Sequence, residues 1–117
     1  MKVIRKENFL GRYSDSFFKE YPDRKDDLAF VYFIKIGNFY KIGITTKIED
    51  RLKSLKSIFN KVVPEVIQTY QTSLYNAYQI EQKILKENKE YRFYTKQSTE
   101  LFSFNILQNQ TLKDYSF

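Results

Sequence analysis

One carboxylate in this sequence lies where a purely structural design has no use for it. On the helical wheel of residues 74–88, with Ala77 at 0°, Ile84 falls at about 340°, Ile80 at about 300°, Leu85 at about 80° and Glu81 at about 40°. Glu81 therefore points into the apolar face of its own helix. A buried lone carboxylate is costly, so it needs a cation, a set of donors or a raised pKa. Arg51 is the nearest-looking partner, lying about 70° from the centre of an apolar stripe of its own helix, at its border. Tyr32 and Lys41 complete the group. A two-residue turn at Gly37-Asn38 pairs Ile34 with Lys41 and Tyr32 with Gly43. Tyr32, Ile34 and Lys41 then share one sheet face, with Tyr32 and Lys41 diagonal neighbours roughly 7–8 Å apart. Gly43, opposite Tyr32, leaves the surface open there. The functional reading of Glu81 is a metal ligand in an active-site cleft. The plainer alternatives are a structural Arg51–Glu81 ion pair, an Arg51 stem covering apolar surface and a Lys41 at a solvated edge. The residues alone leave both readings open.

Regular elements must position these four side chains. Leu28 to Ile36 (LAFVYFIKI) and Phe39 to Ile44 (FYKIGI) are rich in β-branched and aromatic residues and read as a hairpin. Thr45-Thr46 offers an N-cap, and Glu49 and Asp50 fall in the first turn that follows. Ile48, Leu52, Leu55 and Phe59 recur at helical spacing, which predicts an amphipathic helix over 47–58. Val62 to Tyr70 reads as a third strand, with Pro64 marking an edge position or a start after it. A second long helix runs from Leu74 to Asn88. Asp15 to Tyr21 reads as a short helix ended by Pro22, and Thr99 to Phe104 as extended chain. The expected fold is α/β (α+β), a small three-stranded antiparallel sheet flanked by helices in the order β-β-α-β-α. Residues 1–27 read as an N-terminal extension, 28–104 as the domain and 105–117 as a tail.

Composition narrows the chemistry. The 117 residues hold no Cys and no His, which excludes disulfides, thiolate zinc sites, cysteine nucleophiles and every imidazole acid or base. Aromatics make up 18% while Gly and Pro total five, unlike disordered or fibrous chains. The longest apolar run is seven residues, Leu28 to Ile34, far short of a membrane span. No apolar stretch follows the charged N-terminus, so a cytoplasmic protein without a membrane partner is expected. The net charge is +6, and residues 28–73 hold seven basic and three acidic side chains. That excess suits a nucleic-acid partner.

The run FVYFIKIGNFYKIGITTKIEDRL, with Phe30-Val31-Tyr32, Lys41-Ile42-Gly43, Arg51 eight residues later and Glu81 beyond, resembles the GIY-YIG nuclease superfamily. It is most similar to the small phage- and virus-type branch whose second motif reads Tyr-Lys-Ile-Gly-Ile-Thr. The resemblance covers roughly residues 28–104. It implies a metal-dependent endonuclease cutting nucleic-acid phosphodiesters, DNA ahead of RNA, in the cytoplasm or, for a viral protein, the host's. In that scheme Tyr32 is the general base, Lys41 lowers the phenol's pKa, Arg51 clamps the scissile phosphate and Glu81 holds one Mg²⁺ or Mn²⁺. Tyr40 and Thr45 of the second motif, Glu100 of Thr99-Glu100-Leu101-Phe102 and Asn105 take accessory places. Lys47, Lys53, Lys56 and Lys61 are candidates for binding nucleic acid.

Three positions depart from the pattern: Phe30 for the first Gly, Lys41 for the second Tyr, and Leu85 where many relatives place a His. The second hypothesis is therefore a module of the same kind, of phage or mobile-element origin, that binds nucleic acid or protein without cleaving. A third, a platform stacking RNA bases, would use Phe30, Tyr32, Phe33, Phe39 and Tyr40, residues that more often build a core.

Overall fold

The computed structural model describes residues 13–94 and 100–116. The chain opens with α1 (Asp15–Glu20), whose N-cap Ser14 accepts from Phe17 N at 3.1 Å, and a 3-10 turn over Pro22–Asp26. The hairpin follows as β1 (Leu28–Ile36) and β2 (Phe39–Thr45). Gly37 takes the positive φ of 61° that the two-residue turn demands. Next come α2 (Ile48–Ile58), β3 (Glu65–Ser73) and α3 (Leu74–Glu87), then β4 (Arg92–Tyr94) and β5 (Glu100–Phe102).

The fold is α+β, and the strands form one antiparallel sheet in the order β3-β1-β2-β5-β4. The sheet has five strands, which corrects the expected three. The two extra strands hold three residues each, too few to display the alternation by which a strand is read. Thr99, the start of the expected extended segment, lies outside the described residues. The third strand starts after Pro64 and also lies at the sheet edge, so Val62 and Val63 are not part of it. Asn60 and Lys61, at φ of 55° and 67°, carry the chain out of α2 toward that strand.

Successive side chains of β1 point to opposite faces, and the two faces build two cores. Ala29, Val31, Phe33 and Ile42 pack beneath Leu74, Ala77, Ile80 and Ile84 of α3. Phe17 and Phe18 of α1 join this larger core, as do Ile106, Leu107, Leu112 and Tyr115 near the C-terminus. Each such large side chain contributes about 1.5–3 kcal/mol on full burial, enough to fix a six-residue helix with little propensity of its own. Gln68 of β3 ties the C-terminal segment down by donating to Gln110 O and accepting from Leu112 N, both at 2.9 Å. The other face carries a smaller cluster of Tyr32, Ile34, Ile36 and Leu55, covered by Ile48, Leu52 and Phe59 of α2 and its C-cap.

Candidate functional site

The hairpin register is the expected one, with Tyr32 opposite Gly43 and Ile34 opposite Lys41. Tyr32 and Lys41 therefore lie diagonally on the face that α2 covers. Arg51 stands in the first turn of α2, half-buried at the rim of the apolar stripe. From there its Nε donates to Tyr32 Oη at 3.2 Å. This bond joins the helix to the sheet through two polar side chains nineteen residues apart.

Gly43 does not open the surface, as its place opposite Tyr32 had suggested. The Tyr32 ring fills the space that a side chain at Gly43 would need. A Cβ built there would fall 2.9 Å from Tyr32 Cε2 and closer still to Cζ and Oη. Tyr32 is left 1% exposed. Burial pushes its phenol above the usual tyrosine value of 10.0, and the charge of Glu81 adds to the rise. Arg51 opposes it through both its charge and its hydrogen bond. At neutral pH the group is a phenol. Lys41, 9% exposed, is the one charged residue sealed in the sheet among the described residues.

Glu81 comes from α3, whose apolar residues pack on the opposite face of the sheet, and it is half-buried. Its carboxylate still lies near enough for its charge to act on the phenols of Tyr32 and Tyr78. Its Oε1 accepts from Gln82 Nε2 at 3.3 Å. Leu85, one turn further on, is buried in the larger core.

The remaining candidates divide. Lys47, Lys53, Lys56 and Lys61 are all exposed, along and beside α2. Thr45 shares the Tyr32 face, but its hydroxyl accepts from Lys47 N at 3.1 Å and shapes the entry to α2. Lys47 holds the N-cap position without a side-chain bond, so the expected Thr45-Thr46 cap is replaced by this turn. Tyr40 lies on the other face, its ring stacked on Phe33 with centroids 5.8 Å apart. Asn105 Oδ1 accepts from Leu107 N at 3.0 Å and Gln108 N at 2.9 Å, which is turn-capping work. Glu100 opens β5, opposite Tyr94.

The chain is an α+β sheet with an arginine drawn over it and lysines along the covering helix, and the family it matches is nucleic-acid-related. Residues 29–115 match the T5orf172 domain, and the chain belongs to that family, which is associated with GIY-YIG-like and phage nuclease-type proteins. No curated protein and no solved structure matches the chain. Among the described residues, no helix is long and apolar enough to cross a membrane.

Proposed function

We propose that this domain is a metal-dependent endonuclease of the GIY-YIG type, hydrolysing phosphodiester bonds of nucleic acid, with DNA as the first substrate to test. The observation that carries the reading is the Arg51–Tyr32 hydrogen bond laid over Gly43, with the charge of Glu81 felt at the same phenol. A structural ion pair would need neither the phenol nor the glycine beneath it.

The donor set fits a hydrated hard cation and not an all-protein cage. Among the described residues no three Asp, Glu, His or Cys gather, and Mg²⁺ is commonly held by one or two carboxylates while keeping most of its waters. Glu81 is the carboxylate that would hold it, and the bound ion would supply Lewis-acid charge at the leaving oxygen. The rest falls to the chain's own residues. With Nε directed to Tyr32, Arg51 presents its two Nη groups as the fork that grips a phosphate and stabilises its developing charge. Tyr32, after losing its own proton to solvent, takes the proton of the attacking water as a phenolate. Its burial works against this, and Arg51 works for it, through its charge and its hydrogen bond, by favouring the phenolate.

The seclusion of Tyr32 and the Leu85 side chain in the core favour a second reading, a nucleic-acid-binding module without cleavage. Nicking of supercoiled plasmid, and of single-stranded and RNA substrates, with Mg²⁺ or Mn²⁺ decides between them. The nuclease reading expects ion-dependent cleavage by the parent protein and none by folded Glu81→Ala or Arg51→Ala. A parent that cuts none of these substrates leaves the second reading in place.

A further inference from the structure

The exposed apolar side chains are sorted by kind across the sheet. Four large aromatics stand exposed among the described residues, Phe39, Tyr91, Phe93 and Phe104, and all lie on or beside β2, β4 and β5. The exposed aliphatics lie elsewhere, Ile58, Val62, Val63 and Val66 around the start of the edge strand β3 and Leu28 at the start of β1, its neighbour in the sheet. A general protein-docking surface would mix the two kinds. Aromatic rings gathered at one edge have a more particular use.

Phe39 and Phe93 come from strands at two positions in the sheet order and meet edge to face, ring centroids 5.3 Å apart and planes at 69°. They remain 40% and 36% exposed, so the contact leaves ring surface in water. Alternation along β2 puts Phe39 on the same face as Lys41 and Gly43. It stands roughly 7 Å along the strand from Lys41 and roughly 13 Å from Gly43, where the Tyr32 ring and Arg51 meet. A phosphate at Arg51 and a base at Phe39 could thus belong to one strand crossing the sheet face. The bases of a duplex are already stacked on each other; an unpaired base has a free face to offer.

We propose that Phe39 and Phe93 form a base-stacking subsite for an unpaired nucleotide beside the candidate phosphate site, so that the substrate carries single-stranded nucleotides next to the bond to be cut. The subsite rests on the nucleic-acid reading of Tyr32, Arg51 and Glu81. Stacking reads no base edge, so it is tolerant of sequence.

The test compares two labelled single strands of equal length and charge, one of thymidines and one of abasic sites, by fluorescence anisotropy at low salt, with a duplex alongside. The thymidine strand is expected to bind roughly 5- to 150-fold tighter than the abasic strand. Phe93→Leu, which keeps an apolar side chain without a ring, should remove most of that preference, and Phe93→Tyr should retain it. Phe39→Leu repeats the test from the other ring, with circular dichroism confirming that each variant folds. Equal binding of both strands, or an undiminished preference in both leucine variants, overturns the subsite while duplex binding leaves the nucleic-acid reading standing. Failure to bind strands and duplex alike brings down that reading and the subsite with it.

Discussion

Substituting Gly43 with Ala tests the geometry on which the site depends. The new Cβ would fall 2.9 Å from Tyr32 Cε2 and closer to Cζ and Oη, well inside contact distance. The ring cannot sink, because Ile34 and Leu55 occupy the cluster around it, so it must swing away from Arg51. Overfilling a packed site costs about 1–3 kcal/mol. Losing a hydrogen bond to a charged group adds about 1.5–3 kcal/mol. The sum, about 2.5–6 kcal/mol, is a large part of the roughly 5–15 kcal/mol that is typical of a domain. Urea denaturation of Gly43→Ala, Tyr32→Ala and the double variant completes the cycle. With the ring gone, an Ala at 43 has room, and its effect should shrink to within about 1 kcal/mol of zero. The coupling between the two sites should therefore reach about 2 kcal/mol or more. If Gly43→Ala costs as much in the Tyr32→Ala background as in the parent, the ring does not occupy the space assigned to it.

Four other outcomes are expected. Tyr32→Phe should stay folded and lose about 10²–10⁴ in cleavage rate. Because the phenol's pKa is raised above 10.0, the parent's rate should climb with pH through the neutral and mildly alkaline range, while Tyr32→Phe responds weakly; a parent plateau by pH 8 removes the phenol as the base. Replacing Lys53 and Lys56 together with Gln should lower the slope of log binding constant against log salt by about 0.9 for each phosphate no longer neutralised, and an unchanged slope takes these lysines off the interface. Asp114 accepts from Thr111 N at 2.9 Å in a capping box, and that backbone bond, ahead of the Thr111 hydroxyl, holds its pKa below 3.8. Its contribution is complete above that value and is lost as pH falls through the lower folded pKa, so the melting-point gap between the parent and Asp114→Asn should be present at pH 7 and fade below pH 3.8.

The hairpin was legible because a two-residue turn leaves one register, and that register brings Tyr32, Lys41 and Gly43 together. Helical spacing likewise placed Arg51 at a rim and within reach of the sheet. It could not show that the reach ends at Tyr32, because that contact depends on how α2 sits across β1. Gly43 was visible but its meaning was reversed, since a missing side chain reads the same whether the space is empty or filled by a neighbour. The meeting of Phe39 with Phe93 had no local signal at all. It depends on two three-residue strands whose pairing is set by the core below them, where Phe102 is buried.

The unequal division of the two cores has a kinetic consequence for α2. The larger core binds α1, α3 and the C-terminal segment to one face of the sheet, whereas α2 is held by a cluster of four buried residues, its own Leu55 with Tyr32, Ile34 and Ile36 of β1. Elements held by few apolar contacts open at a free energy below that of global unfolding, as separate cooperative units. The amides of α2 therefore exchange with solvent ahead of those of β1 and α3, through excursions in which the sheet and its larger core stay intact. Each excursion breaks the Arg51–Tyr32 bond and uncovers the phenol. A phenol all but sealed in the resting fold is thus the group that the least costly fluctuation brings to water.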